Sequence, residues 1–394
     1  MSNPYREIVN RLDKLVKSRF IEMFGNPLTQ TSEYEFVPIR SFSRCVAGAT
    51  PSTLVDDYWE DGTIPWLSSG EVNQGRIYST EKKITQMGYD NCSTHIVPAH
   101  TVLIALAGQG KTRGTVAVTE IELCTNQSIC SIITDETVEA DYLYHALKIQ
   151  YDRIRTLSNG DGGRGGLNLE IVGKITVPKP PISLQLQFAE FVNQVDKSRV
   201  IAQKAAEKYD QLVKSRFIEL FEGKGYPVVP ISTIAKVKSG STIALEQENE
   251  GGPVMYVKVS DMNLAGNDKY LYSSTKYVQK KTAGKLIFPK GSIIFPKNGG
   301  AVLTNKKRIA TQETTVDLNT MVVVPEGVRS EYLYQWFLRF DLSSIAKGSA
   351  LPSINAKTMG EQLVLLPPDD LQKQFEEFVH QVDKSRFTNS GGDA

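Results

Sequence analysis

The chain repeats itself. LVKSRFIEMF at residues 15–24 returns as LVKSRFIELF at 212–221. FVNQVDKSR at 191–199 returns as FVHQVDKSR at 378–386, each time behind a double proline (Pro180-Pro181, Pro367-Pro368) and an LQ-x-QF step. Weaker echoes lie between these: Val37-Pro38-Ile39 with Val229-Pro230-Ile231, Gly48 with Gly240, Trp66 with Tyr256, and Tyr142-Leu143-Tyr144 with Tyr332-Leu333-Tyr334. The offsets all fall between 187 and 197 residues. One unit of roughly 190 residues is used twice, a period far too long for a solenoid. Such a chain folds as two homologous domains with two homologous connectors.

The connectors read as helices. Leu184, Phe188, Phe191, Val195, Ser198, Ala202, Ala205, Tyr209 and Leu212 alternate steps of four and three, an a/d heptad seam. No Gly or Pro interrupts residues 184–222, which at about 1.5 Å per residue makes a helix of roughly 55–60 Å. The termini carry halves of it. Residues 1–24 match its second half, with Tyr5, Ile8, Leu12 and Leu15 in the seam, and 371–386 match its first half, with Leu371, Phe375, Phe378 and Val382. The expected order is a half-helix at 1–25, a domain at 26–180, a full helix at 181–223, a second domain at 224–368, and a half-helix with tail at 369–394. The domains read as β-rich, because short apolar runs such as 102–104, 128–133, 254–259 and 321–324 are bounded by Gly, Pro, Asn or Ser. Laid end to end, the terminal halves make a second long helix. The fold class expected is therefore α+β: two homologous β-rich domains separated by a long antiparallel coiled coil, pseudo-twofold, with a circular organisation.

Composition excludes several classes. With 40% hydrophobic and 23% charged residues the chain is ordinary globular material. No run of about 18 apolar residues suits a membrane, and the polar N-terminus lacks a signal core. Four cysteines in 394 residues make no disulfide framework, so free thiols in the cytoplasm are expected. A net charge of +1 predicts no partner, but the charge is uneven. Residues 231–310 hold thirteen basic side chains against five acidic ones, with Lys258, Lys297, Lys306, Lys307 and Arg308 among them. Basic clusters in glycine-bearing loops commonly meet phosphate backbones.

Catalytic and metal sites are not expected. ALAGQGKT at 105–112 loosely fits a nucleotide-binding loop, but such a loop opens a helix and residues 114–118 read as strand. Its second copy, PKNGG, keeps only the glycines, so Lys111 and Arg113 are better read as a basic loop at a nucleic-acid backbone. A second glycine loop at 159–166 carries Arg164. Cys92, His95 and His100 are replaced by Ala283, Leu286 and Gly291 in the second copy, which argues against zinc. No spacing nominates a nucleophile. Direct base readout needs amide and basic side chains, for which Gln109, Arg113, Asn126, Gln127, Asn168, Lys258, Asn298 and Asn355 are candidates.

Together these segments resemble the specificity subunit of Type I restriction–modification systems. The resemblance is carried by the LVKSRFIEMF pair, the PP-x-x-LQ-x-QF-x-x-FV-x-QVDKSR pair, GQGKTRG followed by Thr125-Asn126-Gln127-Ser128, Ile64-Pro65-Trp66, and Leu167-Asn168 echoed by Ile354-Asn355. It implies two target-recognition domains, each reading half of a bipartite double-stranded DNA sequence. It also implies helices that set the spacing and dock two DNA methyltransferase subunits, with restriction and motor subunits joining them. S-adenosylmethionine, ATP and Mg would then belong to those partners. The chain itself would be a cofactor-free, non-catalytic member of an N6-adenine methyltransferase and ATP-dependent endonuclease. DNA contacts are expected from the candidates above with Lys111, Arg164, Lys297, Lys306, Lys307 and Arg308. The coiled coil and partner docking are expected from Leu12, Leu15, Phe188, Phe191, Val195, Leu212, Phe375, Phe378 and Val382. The competing reading is a coiled-coil adaptor that binds proteins without DNA readout. Salt-sensitive retention on DNA or heparin separates the two.

Overall fold

The repeated segments form helices at Pro4–Phe24, Ile182–Phe221 and Asp369–Thr388. The structure, a computed structural model, describes residues 4–108, 111–157, 166–348 and 351–388, with side chains described between 8 and 385. The chain divides into Leu12–Ser198 and a second unit of Met1–Arg11 with Arg199–Ala394, and the two share one plan. No described helix is long and apolar enough to cross a membrane.

In the first unit a five-stranded sheet holds Ser43–Ala47, Ile129–Thr134, Val102–Ala105, Val116–Thr119 and Arg76–Ile77 in that spatial order. The second unit repeats the order with Ala235–Ser239, Thr320–Pro325, Ile293–Pro296, Arg308–Ala310 and Tyr270–Leu271. A three-stranded sheet accompanies each: Lys82–Ile84, Ile64–Leu67 and Cys124–Thr125, and correspondingly Lys276–Val278, Val254–Val257 and Thr314–Val316. Strand alternation splits the core. Val102 and Ile104 face a cluster under the helix Ala140–Ile149, whereas Leu103 and Ala105 face a second cluster on the other side. Phe36–Pro38 pairs with Thr176–Pro178, and Val228–Pro230 with Leu363–Leu365, so each domain's two ends are stitched together.

The repeated motifs encode the anchorage of each domain to its helices. In the first unit Phe20, Phe24, Phe188 and Tyr142 form a four-ring cluster. Phe20 stacks on Tyr142 at 5.4 Å, and Phe188 meets Phe20 edge-on at 5.3 Å. In the second unit Phe217 stacks on Tyr332 at 5.4 Å and meets Phe375 edge-on at 5.5 Å, with Phe221 completing the set. The glutamine of LQ-x-QF is a buried clamp. Gln185 accepts from Glu139 N at 2.9 Å and donates to the Pro180 carbonyl at 2.8 Å. Gln372 does the same with Arg329 N and the Pro367 carbonyl, at 2.9 and 2.8 Å. Glu139 and Arg329 are the N-caps of the helices Ala140–Ile149 and Ser330–Arg339, so one amide fixes a connector to a domain helix.

The heptad seam needs correction. Phe188, Val195, Phe375 and Val382 are buried, and Leu12, Phe191 and Phe378 are half-buried. Leu15 and Leu212, expected in the seam, are each 48% exposed. The buried faces there are instead Val16, Phe20 and Phe24, and Val213, Phe217 and Phe221. The helices must cover the domain's tyrosine as well as a neighbouring helix, so the face turns by one residue from an ideal a/d stripe. Between Val195 and Val213 the central helix buries no residue.

Candidate nucleic-acid interface

Each five-stranded sheet ends in a cluster of loops held by one backbone frame. In the first unit Leu106 N donates to the Ser128 carbonyl at 2.8 Å, Leu167 N to the Leu106 carbonyl at 2.9 Å, and Asn126 N to the Leu67 carbonyl at 3.0 Å. In the second unit the same bonds run from Lys297 N to Asn319 at 2.8 Å, from Ile354 N to Lys297 at 2.8 Å, and from Asp317 N to Val257 at 3.0 Å. The Gly48 and Gly240 echo belongs to this frame. A Cβ on Gly48 would lie 1.8 Å from the Thr125 carbonyl oxygen, and one on Gly240 would lie 2.2 Å from those of Val316 and Asp317. Only glycine allows so close a crossing of strand end and loop.

The frame gathers several of the expected residues. Asn126 uses its Oδ1 to accept from Ser128 N at 3.0 Å, and exposed Gln127 accepts from the Thr50 hydroxyl at 2.6 Å. Lys297 and Asn298 follow directly from the strand Ile293–Pro296. The Asn298 amide donates to the Asn319 side chain at 3.3 Å, and Gly299 N donates to the Pro352 carbonyl at 2.8 Å. Asn168 and Asn355 lie on the rim, both exposed. Each side-chain oxygen caps a short helix, accepting from Ile171 N and Thr358 N respectively, both at 2.8 Å. The Leu-Asn and Ile-Asn echo is thus a helix cap at the edge of the loop cluster. Exposed Lys111 and half-buried Arg113 lie in the segment entering the next strand. Their backbone carbonyls accept from Tyr151 Oη at 2.7 Å and Arg155 at 3.2 Å. The loop after Arg113 leads into the strand Val116–Thr119, not a helix. Gln109 and Arg164 lie outside the described residues.

The remaining basic candidates have other attachments. Lys258 pairs with Glu248 at 2.7 Å, and this partner raises its ammonium above the ordinary range. Lys306 reaches the Asn263 side chain. Arg308 gives its guanidinium to the carbonyls of Asn267, Lys307 and Met262. Lys307 is only 2% exposed, and its ammonium is spent on Asn305 at 2.6 Å and the Phe340 carbonyl at 2.7 Å. Of these four, Lys258 is ion-paired and Lys307 is buried, while Lys306 and Arg308 bond neutral acceptors and keep their charge.

Two ionic clamps escaped the sequence reading, although the repeated QVDKSR carries their shared member. Arg76 binds Asp196 at 3.1 Å and also pairs with Asp141 and Glu120. Lys269 binds Asp383 at 2.8 Å and Glu331 at 2.9 Å. In each unit the motif's aspartate thus tethers a sheet-edge cation to a connector helix. A second matched pair, Glu71 and Asp261, is buried and orders the loop behind the three-stranded sheet. Glu71 accepts from Ser68 N at 2.9 Å, and Asp261 from Lys258 N at 2.8 Å. Among the described residues no cluster of His, Cys, Asp or Glu is suited to a metal ion.

Comparison with known proteins gives the same picture. A family model described as the Type I restriction modification DNA specificity domain matches twice, at residues 31–208 and 223–391. The Type I restriction enzyme MjaIX specificity subunit of Methanocaldococcus jannaschii is 24% identical, covering 91% of this chain and 88% of that one. The EcoR124I/EcoR124II specificity subunit of Escherichia coli is 24% identical over 42% of this chain and 41% of its own length. The crystal structure of the Type I restriction–modification S subunit from M. genitalium superposes with a TM-score of 0.54 at 14% identity, covering 92% of each chain. A chain from a structural study of type I restriction–modification complex assembly gives 0.51 at 13% identity, covering 91% of this chain and 92% of that one. With both repeats matched and nearly the whole length accounted for, this chain belongs to the Type I restriction–modification DNA specificity family, whose domain it carries twice.

Proposed function

We propose that this chain is the non-catalytic, DNA-reading subunit of a Type I restriction–modification complex, each β-rich domain reading one half of a bipartite double-stranded sequence. The observation that carries this reading is one hydrogen-bonded frame used twice with different side chains on it. Leu106 stands where the second unit has Lys297, Gln127 where it has Leu318, and Ser128 where it has Asn319. A constant scaffold with varied donors and acceptors is what two readers of different half-sequences require. On this reading Lys111 and Lys297 meet phosphate, and Asn126, Gln127, Asn168, Asn298 and Asn355 meet base edges, with Gln109 and Arg164 as further contacts.

Two methyltransferase subunits dock on the connector helices, where Leu15, Val200, Ile201 and Leu212 leave apolar surface exposed. The helices also set the spacing between half-sequences. S-adenosylmethionine, ATP and Mg act in the partners, which methylate adenine N6 and, with motor–nuclease subunits, cleave DNA. The test is to incubate the purified chain with DNA and S-adenosylmethionine, alone and with its partners. Alone it transfers no methyl group and makes no cut. With them, the modified adenines fall in a two-part sequence. Methyl transfer by the isolated chain would overturn the reading.

A further inference from the structure

The antiparallel register of Ser43–Ala47 with Ile129–Thr134 sets Cys45 opposite Ile132 and Ala47 opposite Cys130. Residues two apart share a sheet face, so Cys45 and Cys130 are diagonal neighbours on one face. Cys130 is fully buried and Cys45 half-buried. Both lie at the core cluster beneath the helix Ala140–Ile149, Cys130 within it and Cys45 packed against it. The Cys130 thiol beside it lowers Cys45 to about 7, with burial opposing it, while the Cys45 thiol and burial hold Cys130 well above the ordinary thiol range. Cys45 therefore carries substantial thiolate at neutral pH, the nucleophilic form. The second unit has Val237 and Met321 at the corresponding register positions, so the fold itself does not call for thiols there.

We infer that Cys45 and Cys130 form an oxidant-sensitive dithiol that a hydroperoxide closes to a disulfide. The Cys45 thiolate attacks a peroxide oxygen, the O–O bond breaks, and the departing oxygen takes a proton to leave as water or alcohol. Cys45 is left as a sulfenic acid. The Cys130 sulfur then attacks the Cys45 sulfur. The S–S bond forms, the S–O bond breaks, and the hydroxide leaves as water with the Cys130 proton. The two sulfurs together lose two electrons, and the peroxide gains them.

Diagonal neighbours stand roughly 7–8 Å apart, while a disulfide wants Cα atoms about 4.4–6.8 Å apart. Closure therefore draws the two strands together, and the resulting bond is strained and readily reduced. The strand Ser43–Ala47 runs directly into Gly48, and Ile129–Thr134 leaves from Asn126–Ser128, both in the first unit's loop cluster. On the function proposed above, oxidation perturbs reading of the first half-sequence and spares the second.

The full chain is titrated with hydrogen peroxide, digested without reductant and analysed by mass spectrometry. The expected product is a peptide linked through Cys45 and Cys130 that dithiothreitol separates. In Cys130→Ala a dimedone-trapped sulfenic acid should accumulate at Cys45, and in Cys45→Val Cys130 should stay reduced. Sulfenic acid at Cys45 of the unaltered chain with no linked peptide overturns the inference. So does oxidation of Cys92 ahead of Cys45. In the assembled complex, peroxide should weaken binding at the first domain's half-sequence about tenfold, and Cys45→Val should abolish that loss. A linked peptide with unchanged binding at both halves overturns the coupling to the loops. The peptide readout involves no DNA, so a failure of the dithiol is distinguishable from a failure of the proposed function.

Discussion

Lys307 sits in the run Lys306-Lys307-Arg308, which from sequence reads as a surface charge cluster, yet it is buried on Asn305 and the Phe340 carbonyl. Burial lowers its ammonium from 10.5 to about 8. Between those values the native state binds fewer protons than the unfolded chain, so this group adds stability as pH rises through the window. Below about pH 8 its cost is fully present. The stability of the wild-type chain relative to Lys307→Met should therefore grow by up to about 3 kcal/mol from pH 8 to 10.5, read by denaturant melts at each pH. A constant difference would show that the ammonium is not desolvated. Gln185 and Gln372 give a parallel test. Gln185→Ala or Gln372→Ala orphans a helix-cap amide and a proline carbonyl, and each should cost about 1–3 kcal/mol in a thermal or urea melt. The motif's glutamine was visible in sequence. Its buried role was not, because its partners are the backbone amides of Glu139 and Arg329, which leave no mark on residue identity.

At the scale of elements, periodicity located the connectors but set their inward face one residue off at Leu15 and Leu212. Spacing shows which residues share a stripe. It does not show that Tyr142 and Tyr332, from distant helices, claim a neighbouring stripe for Phe20, Phe24, Phe217 and Phe221. The two faces separate under mutation. Phe20→Ala and Phe217→Ala should each lower stability by about 3–5 kcal/mol, whereas Leu15→Ala and Leu212→Ala should cost less than about 1 kcal/mol. Phe188→Asp and Phe375→Asp, which place a charge inside the four-ring clusters, should be at least as damaging as the alanine changes. Equal losses for the leucines and phenylalanines in chemical denaturation would restore the a/d seam and dismiss the ring clusters. The leucines should instead matter to partners, with Leu212→Ala weakening co-purification of the methyltransferase subunits from an otherwise stable chain.

For the molecule as a whole, duplication was the legible part, since it rests on letters that recur. The α+β architecture and its two homologous halves follow from it. The loop cluster was legible only in outline. Asn168 and Asn355 read from sequence as amides suited to base edges, and in the structure each side-chain oxygen caps a short helix. The frame that unites Leu106 with Lys297 is made of backbone hydrogen bonds, which leave no mark on residue identity. Such a frame tolerates different side chains, and that freedom is what two dissimilar readers need. Two such readers should each recognise a half-sequence independently of the other. The most direct measurement replaces residues 224–368 with a second copy of 26–180, expresses the chain with its partner subunits, and maps methylated adenines across the host genome. The half-sequence of the first domain should then occur twice in every modified site, and the other half-sequence should vanish. Survival of the second half-sequence in the swapped chain would contradict independent reading.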